Sequence, residues 1–161
     1  MSSTYERLRE IKHRRVEIAS NDLRTCRVAL EQAARVAELA RQQSSDFSRT
    51  LASRQAVLYD ELQQRPRLMR EIDEVRDQIA RLRRIEGDLR AKAAEAEQAR
   101  ARAMSALEAA QQAHQQAVKT REKFDQLIAI ERRHIAAAEQ LNEDREMDEF
   151  LRPADSMSDG A

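Results

Sequence analysis

The chain of 161 residues is long enough for one ordinary globular domain, yet 36% of it is charged, 3% is aromatic, and it holds two glycines and two prolines. So few turn residues among so much Ala, Glu, Arg, Gln and Leu is the composition of long helices and coiled coils, and it excludes a wide globular core. Twenty-nine basic and 29 acidic residues cancel, which excludes a bulk field favouring nucleic acid or an anionic membrane.

The cancellation hides an uneven distribution. Arg7, Arg9, Lys12, Arg14 and Arg15 stand against Glu6 and Glu10 at the start, whereas residues 139–161 carry eight acids against Arg145 and Arg152. Cys26 is the sole cysteine, so no intrachain disulfide forms and a reducing compartment fits best. The N-terminus has no apolar signal core, and no segment approaches the roughly 18 apolar residues of a membrane span. The expected location is the cytoplasm. Export by a secretion system that reads a polar, unstructured N-terminus would leave no such mark, so a secreted protein stays open.

In chain order, Ser2, Ser3 and Thr4 are N-cap candidates, and a first helix is expected over about residues 4–64. Its apolar or small residues recur at alternating spacings of three and four: Val16, Ala19, Leu23, Cys26, Leu30, Ala33, Ala37, Ala40, Ser44, Phe47, Leu51 and Leu58, with Arg54 as the exception. That is a heptad seam. The serines and threonine of residues 44–53 have weak helix propensity, so this is the softest stretch of the helix, though still helical.

A turn is expected at about residues 65–67, where Pro66 breaks the pattern and suits the first turn of a second helix over about residues 68–151. The second seam runs through Leu68, Ile72, Val75, Ile79, Leu82, Glu86, Leu89, Ala93, Ala96, Arg100, Ala103, Leu107, Ala110, His114, Ala117, Arg121, Phe124, Ile128, Glu131, Ile135 and Ala138. A stripe this long stays buried only along a partner of similar length. Alanine-rich runs on both arms, Ala29–Ala40 and Ala91–Ala117, favour close antiparallel pairing.

The expected fold class is therefore all-α: a two-helix antiparallel coiled-coil hairpin, an elongated rod, forming a single domain over residues 1–152. Because the arms are unequal, a tight reversal at Pro66 pairs Tyr5 with about residue 128 and leaves some 20 residues of the second helix projecting. A break near Gly87 is the alternative, since glycine costs a helix about 1 kcal/mol. Residues 153–161, polar and acidic after Pro153, are expected to be a disordered tail.

No catalytic constellation is legible. His13, His114 and His134 are far apart and lack ligand spacing, so no metal site is expected. With glycine nearly absent there is no phosphate loop, and no nucleophile elbow or Cys/His pair can be drawn. Two helices offer no enclosed substrate pocket, so the expectation is a non-enzyme with no cofactor. The basic run at Arg7–Arg15 is interleaved with Glu6, Glu10 and Glu17 and lacks stacking aromatics beyond Tyr5, which favours a protein-binding or solvated face over nucleic acid. Tyr59 and Phe150 lie off the seams, where an aromatic is a natural partner contact.

Arg7-Leu8-Arg9-Glu10-Ile11-Lys12, the Leu58-Tyr59 pair before a proline break, Glu122-Lys123-Phe124 and Asp148-Glu149-Phe150, in that order over nearly the whole chain, resemble the YscO/SctO family of type III secretion, relatives of the flagellar export protein FliJ. The resemblance implies a cytoplasmic stalk, similar in fold to the coiled coil of the rotary ATPase gamma subunit. Such a stalk inserts into the hexameric secretion ATPase and connects it to the cytoplasmic domain of the export gate, with export chaperones or the needle-length regulator as further partners. Nucleic acid and direct membrane insertion are not implied. By this analogy Arg7, Arg9, Lys12, Arg14, Arg15, Glu146, Glu149 and Phe150 face the ATPase, while Phe47, Leu51, Tyr59, Leu62, Ile79 and Leu82 face the export gate. The residues themselves leave two other functions open, a free-standing structural coiled coil and a holdase chaperone with tentacle-like arms.

Overall fold

The computed structural model describes residues 2–64 and 68–152. They form two helices, α1 (Ser2–Gln64) and α2 (Met69–Leu151), with no strand among the described residues. The two long helices pack against each other as an all-α hairpin. The turn expected at residues 65–67 and the tail expected at 153–161 lie outside the described residues.

The helices group into two compact units, Asn21–Gln112 and the pair Met1–Ser20 with Ala113–Ala161. In the unit Asn21–Gln112, Leu23, Ala37, Ala40 and Leu51 of α1 and Ile79 of α2 are buried. Half-buried Leu30, Ala33, Phe47 and Leu58 continue the α1 stripe, and Val75, Leu82, Leu89, Ala96 and Leu107 continue that of α2. Alanine at residues 37 and 40 reaches 4% and 8% exposure, as low as Leu51 at 5% and Leu23 at 9%, because small residues let two helices approach closely enough to cover them. No large side chain is fully buried among the described residues. That is the geometric limit of two helices, each of which covers only one stripe of the other.

The Ser/Thr-rich stretch is helical, and two of its hydroxyls turn back onto the helix. Thr50 Oγ1 donates to the Asp46 carbonyl at 2.9 Å and Ser53 Oγ to that of Arg49 at 3.2 Å, so the groups that compete with helix formation are satisfied within it. At the start of α2 the Leu68 carbonyl accepts from the amides of Glu71 (2.9 Å) and Ile72 (3.3 Å), which closes the first turn. Gly87 does not interrupt α2: the helix runs through it, its φ is not positive, and a Cβ placed there would meet nothing within 4 Å.

In the other unit, α1 contributes residues to Ser20 and α2 residues from Ala113. Ile128 is buried, and Val16, Ala19, His114, Ala117, Arg121 and Phe124 are half-buried around the same seam. Tyr5, Arg9, Ile128 and Ile135 line one cavity of about 320 Å³, so the start of α1 meets α2 near Ile128. Beyond Ile128, every residue from Ala129 to Arg152 is exposed. Glu131, Arg132 and Ile135 still border the start of α1 through that cavity, and beyond Ile135 no α1 residue lines a cavity with α2 among the described residues.

Candidate partner-binding surfaces

In a slim helical pair, function resides on surfaces, and three are built here. The first is the basic start of α1. Arg7 and Arg14 are one heptad apart and exposed, with exposed Arg15 beside them. Arg9 and Lys12 lie on the side turned toward α2, where Lys12 is half-buried and Arg9 Nε sits 3.3 Å from Asp125 Oδ1. His13, one turn on, places Nε2 at 3.7 Å from the same oxygen. Neither His13 Nε2 nor Asp125 Oδ1 makes a hydrogen bond although both atoms are covered, so the Arg9–Asp125 contact is held by charge rather than by an aligned bond. Of the five basic residues, Arg7, Arg14 and Arg15 are thus free to meet a partner, and Arg9 is engaged within the hairpin.

The second surface is the exposed end of α2. It carries Ile130, Ile135, Leu141, Met147, Phe150 and Leu151, each at least 48% exposed and Phe150 at 86%. Glu139, Glu143, Asp144, Glu146, Asp148 and Glu149 are interleaved with them. Glu146, Glu149 and Phe150 are not brought together with the basic cluster. They lie 21 to 25 residues beyond Asp125, about 31–37 Å further along α2, because α1 is the shorter arm.

The third surface lies on the unit Asn21–Gln112. Of the six residues expected to face a partner there, Leu51 and Ile79 are buried, at 5% and 7% exposure. They are core, not surface, because both occupy seam positions that the opposite helix covers. Phe47, Leu62 and Leu82 are half-buried and Tyr59 is 50% exposed. A groove of about 600 Å³ opens between the helices, with Thr50, Ser53, Arg54, Val57 and Leu58 on one side and Gln78, Arg81, Leu82 and Ile85 on the other. Val57 and Ile85, 57% and 45% exposed, are absent from the sequence-based set. Both lie off the seam, Val57 three residues after the seam exception Arg54 and Ile85 next to the seam residue Glu86, where a single apolar residue gives no periodic signal.

Other polar contacts are local to single helices. Arg41 donates to both carboxylate oxygens of Glu38, at 2.7 and 3.2 Å. That hydrogen bonding, then the guanidinium charge, lowers the Glu38 carboxyl below its ordinary value, with a smaller lowering by Arg100 of α2, and the same hydrogen bonding, then the Glu38 charge, raises Arg41. Arg90 pairs with Glu86 at 3.2 Å and Arg100 with Glu97 at 3.6 Å. No group of three or more His, Cys, Asp or Glu side chains is arranged for a metal among the described residues. Cys26 is half-buried on the seam, a small packing residue. No helix among the described residues is long and apolar enough to cross a membrane.

Comparison with known proteins agrees with this architecture. None of the curated proteins matches the chain. Among solved structures, the chain is similar to the type III secretion protein YscO from Vibrio parahaemolyticus, with a TM-score of 0.86 and 28% identity over 92% of this chain and 93% of that one. The family model described as type III secretion protein YscO matches residues 5–153. The match spans both helices and nearly the whole chain, and the chain belongs to the YscO family of type III secretion proteins.

Proposed function

We propose that the chain is a non-enzymatic central stalk of a type III secretion export apparatus, acting in the cytoplasm. It inserts into the hexameric secretion ATPase and couples that ATPase to the cytoplasmic domain of the export gate, with export chaperones or the needle-length regulator as further partners. The observation that carries the reading is the exposed end of α2. A helix end that carries Leu141, Met147, Phe150 and Leu151 in the open with an acidic surround is unstable as a lone helix in water and gains most by entering another protein.

The stalk works by unequal contact. A slim helix inside a symmetric ring meets its subunits differently, so nucleotide states that change one contact bias the orientation of the helix, and the reverse holds by linkage. Arg7, Arg14 and Arg15 add a cationic collar some way behind the inserting end. Tyr59, Phe47, Leu62 and Leu82 belong to the part that meets the export gate, with Leu51 and Ile79 supporting them from beneath.

The experiment is a pull-down and activity assay with the purified hexameric ATPase, using the full chain, a chain ending at Ala138 and the R7E/R14E/R15E variant. The full chain is expected to bind and to stimulate ATP hydrolysis, the shortened chain to lose retention, and the triple variant to stimulate less at unchanged helicity. Retention and stimulation by the shortened chain equal to those of the full chain would refute the inserting end.

A further inference from the structure

Arg54 is the one α1 seam position from Val16 to Leu58 that is exposed. An aliphatic side chain there would lie between the helices on the stripe that joins Leu51 to Leu58. Arginine sends its guanidinium to water instead, and the space it leaves is continuous with the groove of about 600 Å³ walled by Val57, Leu58, Leu82 and Ile85. The groove thus has an apolar floor and two guanidinium groups on its lining, Arg54 on α1 and Arg81 on α2. Neither arginine has an ion-pair partner among the described residues.

We propose that this groove is the docking site of an acidic amphipathic helix from a partner protein. The helix sets aliphatic side chains between Val57 and Ile85, and one or two carboxylates against Arg54 and Arg81. The inference takes its partner from the gate-facing reading above, whereas the chemistry of the occupant stands on the groove.

Three features select this occupant. Two packed helices present a furrow into which a third helix fits by the same interdigitation that joins the first two. An extended segment gains less, because α1 and α2 satisfy their backbone groups internally and leave no sheet edge for main-chain pairing. A second copy of the chain is disfavoured by charge: a two-fold contact through this face would bring Arg54 and Arg81 against their own counterparts. A carboxylate-bearing helix instead supplies the missing counter-charges, and guanidinium groups bind carboxylates in a forked geometry.

The test uses a fluorescent synthetic helix, held helical by a side-chain staple, with leucines at i, i+3, i+4 and i+7 flanked by glutamates. A matched peptide carries lysine for each glutamate. Anisotropy titrations with the full chain are expected to show saturable binding of the acidic peptide and binding of the lysine peptide weaker by about tenfold or more. The R54E/R81E variant should reverse the preference with its helicity intact, and R54Q/R81Q, which removes charge without adding any, serves if the glutamate variant loses helicity.

Equal binding of the two peptides, no saturable binding of either, or an acidic-peptide affinity unchanged in the arginine variants would overturn the proposal. So would a dimer in sedimentation equilibrium that the I85S substitution dissociates, because the face would then belong to a second copy. The purified cytoplasmic domain of the export gate is added as competitor in the same assay. Displacement of the acidic peptide supports both readings, and a gate domain that does not bind while the peptides still discriminate by charge overturns the gate-facing reading alone.

Discussion

Arg9 of α1 and Asp125 of α2 are joined across the hairpin, guanidinium Nε to carboxylate Oδ1, at 3.3 Å. The pair is partly exposed, with 47% and 36% of the side-chain surfaces open, so its strength is that of a surface ion pair, roughly 1 kcal/mol or less. Its importance is positional, because it lies near the start of α1, where little apolar surface is buried. Asp125→Asn should therefore cost little global stability but loosen the first turns of α1. Amide hydrogen exchange is expected to speed up within residues 5–20 and stay unchanged at Ala37–Leu51. Uniform protection along α1 in the variant would count against this clasp.

Leu51 and Tyr59 separate core from surface on the same helix. Leu51 is 5% exposed and Tyr59 50%. Leu51→Ala should destabilise the chain by roughly 2–3 kcal/mol in denaturant unfolding, a loss of transfer energy plus an incompletely closed cavity. Tyr59→Ala should fall within about 0.5 kcal/mol of the parent and be read instead in binding to the export gate domain. A Tyr59 variant as unstable as the Leu51 variant would remove Tyr59 from the list of surface contacts.

Gly87 sits in the middle of α2 with helical backbone and open space where a Cβ would go. Gly87→Ala is expected to stabilise by about 0.5–1 kcal/mol, since alanine reduces the freedom of the unfolded chain and meets no obstacle in the folded one. Thermal or urea unfolding measures it. A destabilised G87A variant would mean that α2 needs the flexibility of glycine at this point.

Glu38 has its carboxyl pKa lowered below the ordinary 4.5 by the Arg41 hydrogen bonds and then by the Arg41 charge. A depressed folded-state pKa means that the contribution of the pair is present above the unfolded value and lost as pH falls through the lower folded value. The pair is solvent-exposed, so unfolding experiments should barely register it, and a site-resolved titration is the sensitive measurement. Carbon-detected NMR should give Glu38 a lower midpoint in the parent than in the Arg41→Gln variant. Identical midpoints would show that the pair does not persist in solution.

The heptad seams were legible in detail. Every α1 residue assigned to the seam from Val16 to Leu58 is buried or half-buried, and Arg54, the noted exception, is exposed. On α2 the seam is covered from Ile72 to Ile128 except at Arg100, while Leu68 at its start and Glu131, Ile135 and Ala138 at its end, also assigned to it, are exposed. This works because a period of 3.5 residues places a whole stripe on one side of a helix whatever lies opposite. Partner-facing residues were less legible. Leu51 and Ile79 were drawn from an analogy about which part of the chain meets the export gate, and position along a helix does not say which side of it a residue occupies. Val57 and Ile85 lay off the seam, where a single apolar residue carries no pattern.

The sequence by itself determined the fold class, the two long helices, their buried stripes and the family, since each depends on residue type and local spacing. The reversal expected at Pro66 also set the approximate register, pairing Tyr5 with about residue 128, as the cavity shared by Tyr5 and Ile128 bears out, and tertiary structure decided which side chains then meet across the hairpin. A heptad pattern looks almost the same after a shift of seven residues, so it does not tie Arg9 to Asp125 or bring Arg54 and Arg81 to one groove; that register follows from where the chain reverses. The same register leaves α1 ending its cover near Ile128, and so exposes the last turns of α2 with Phe150 at 86%. An apolar residue is marked as a docking contact only when the fold withholds its partner, and that is a property of two helices together.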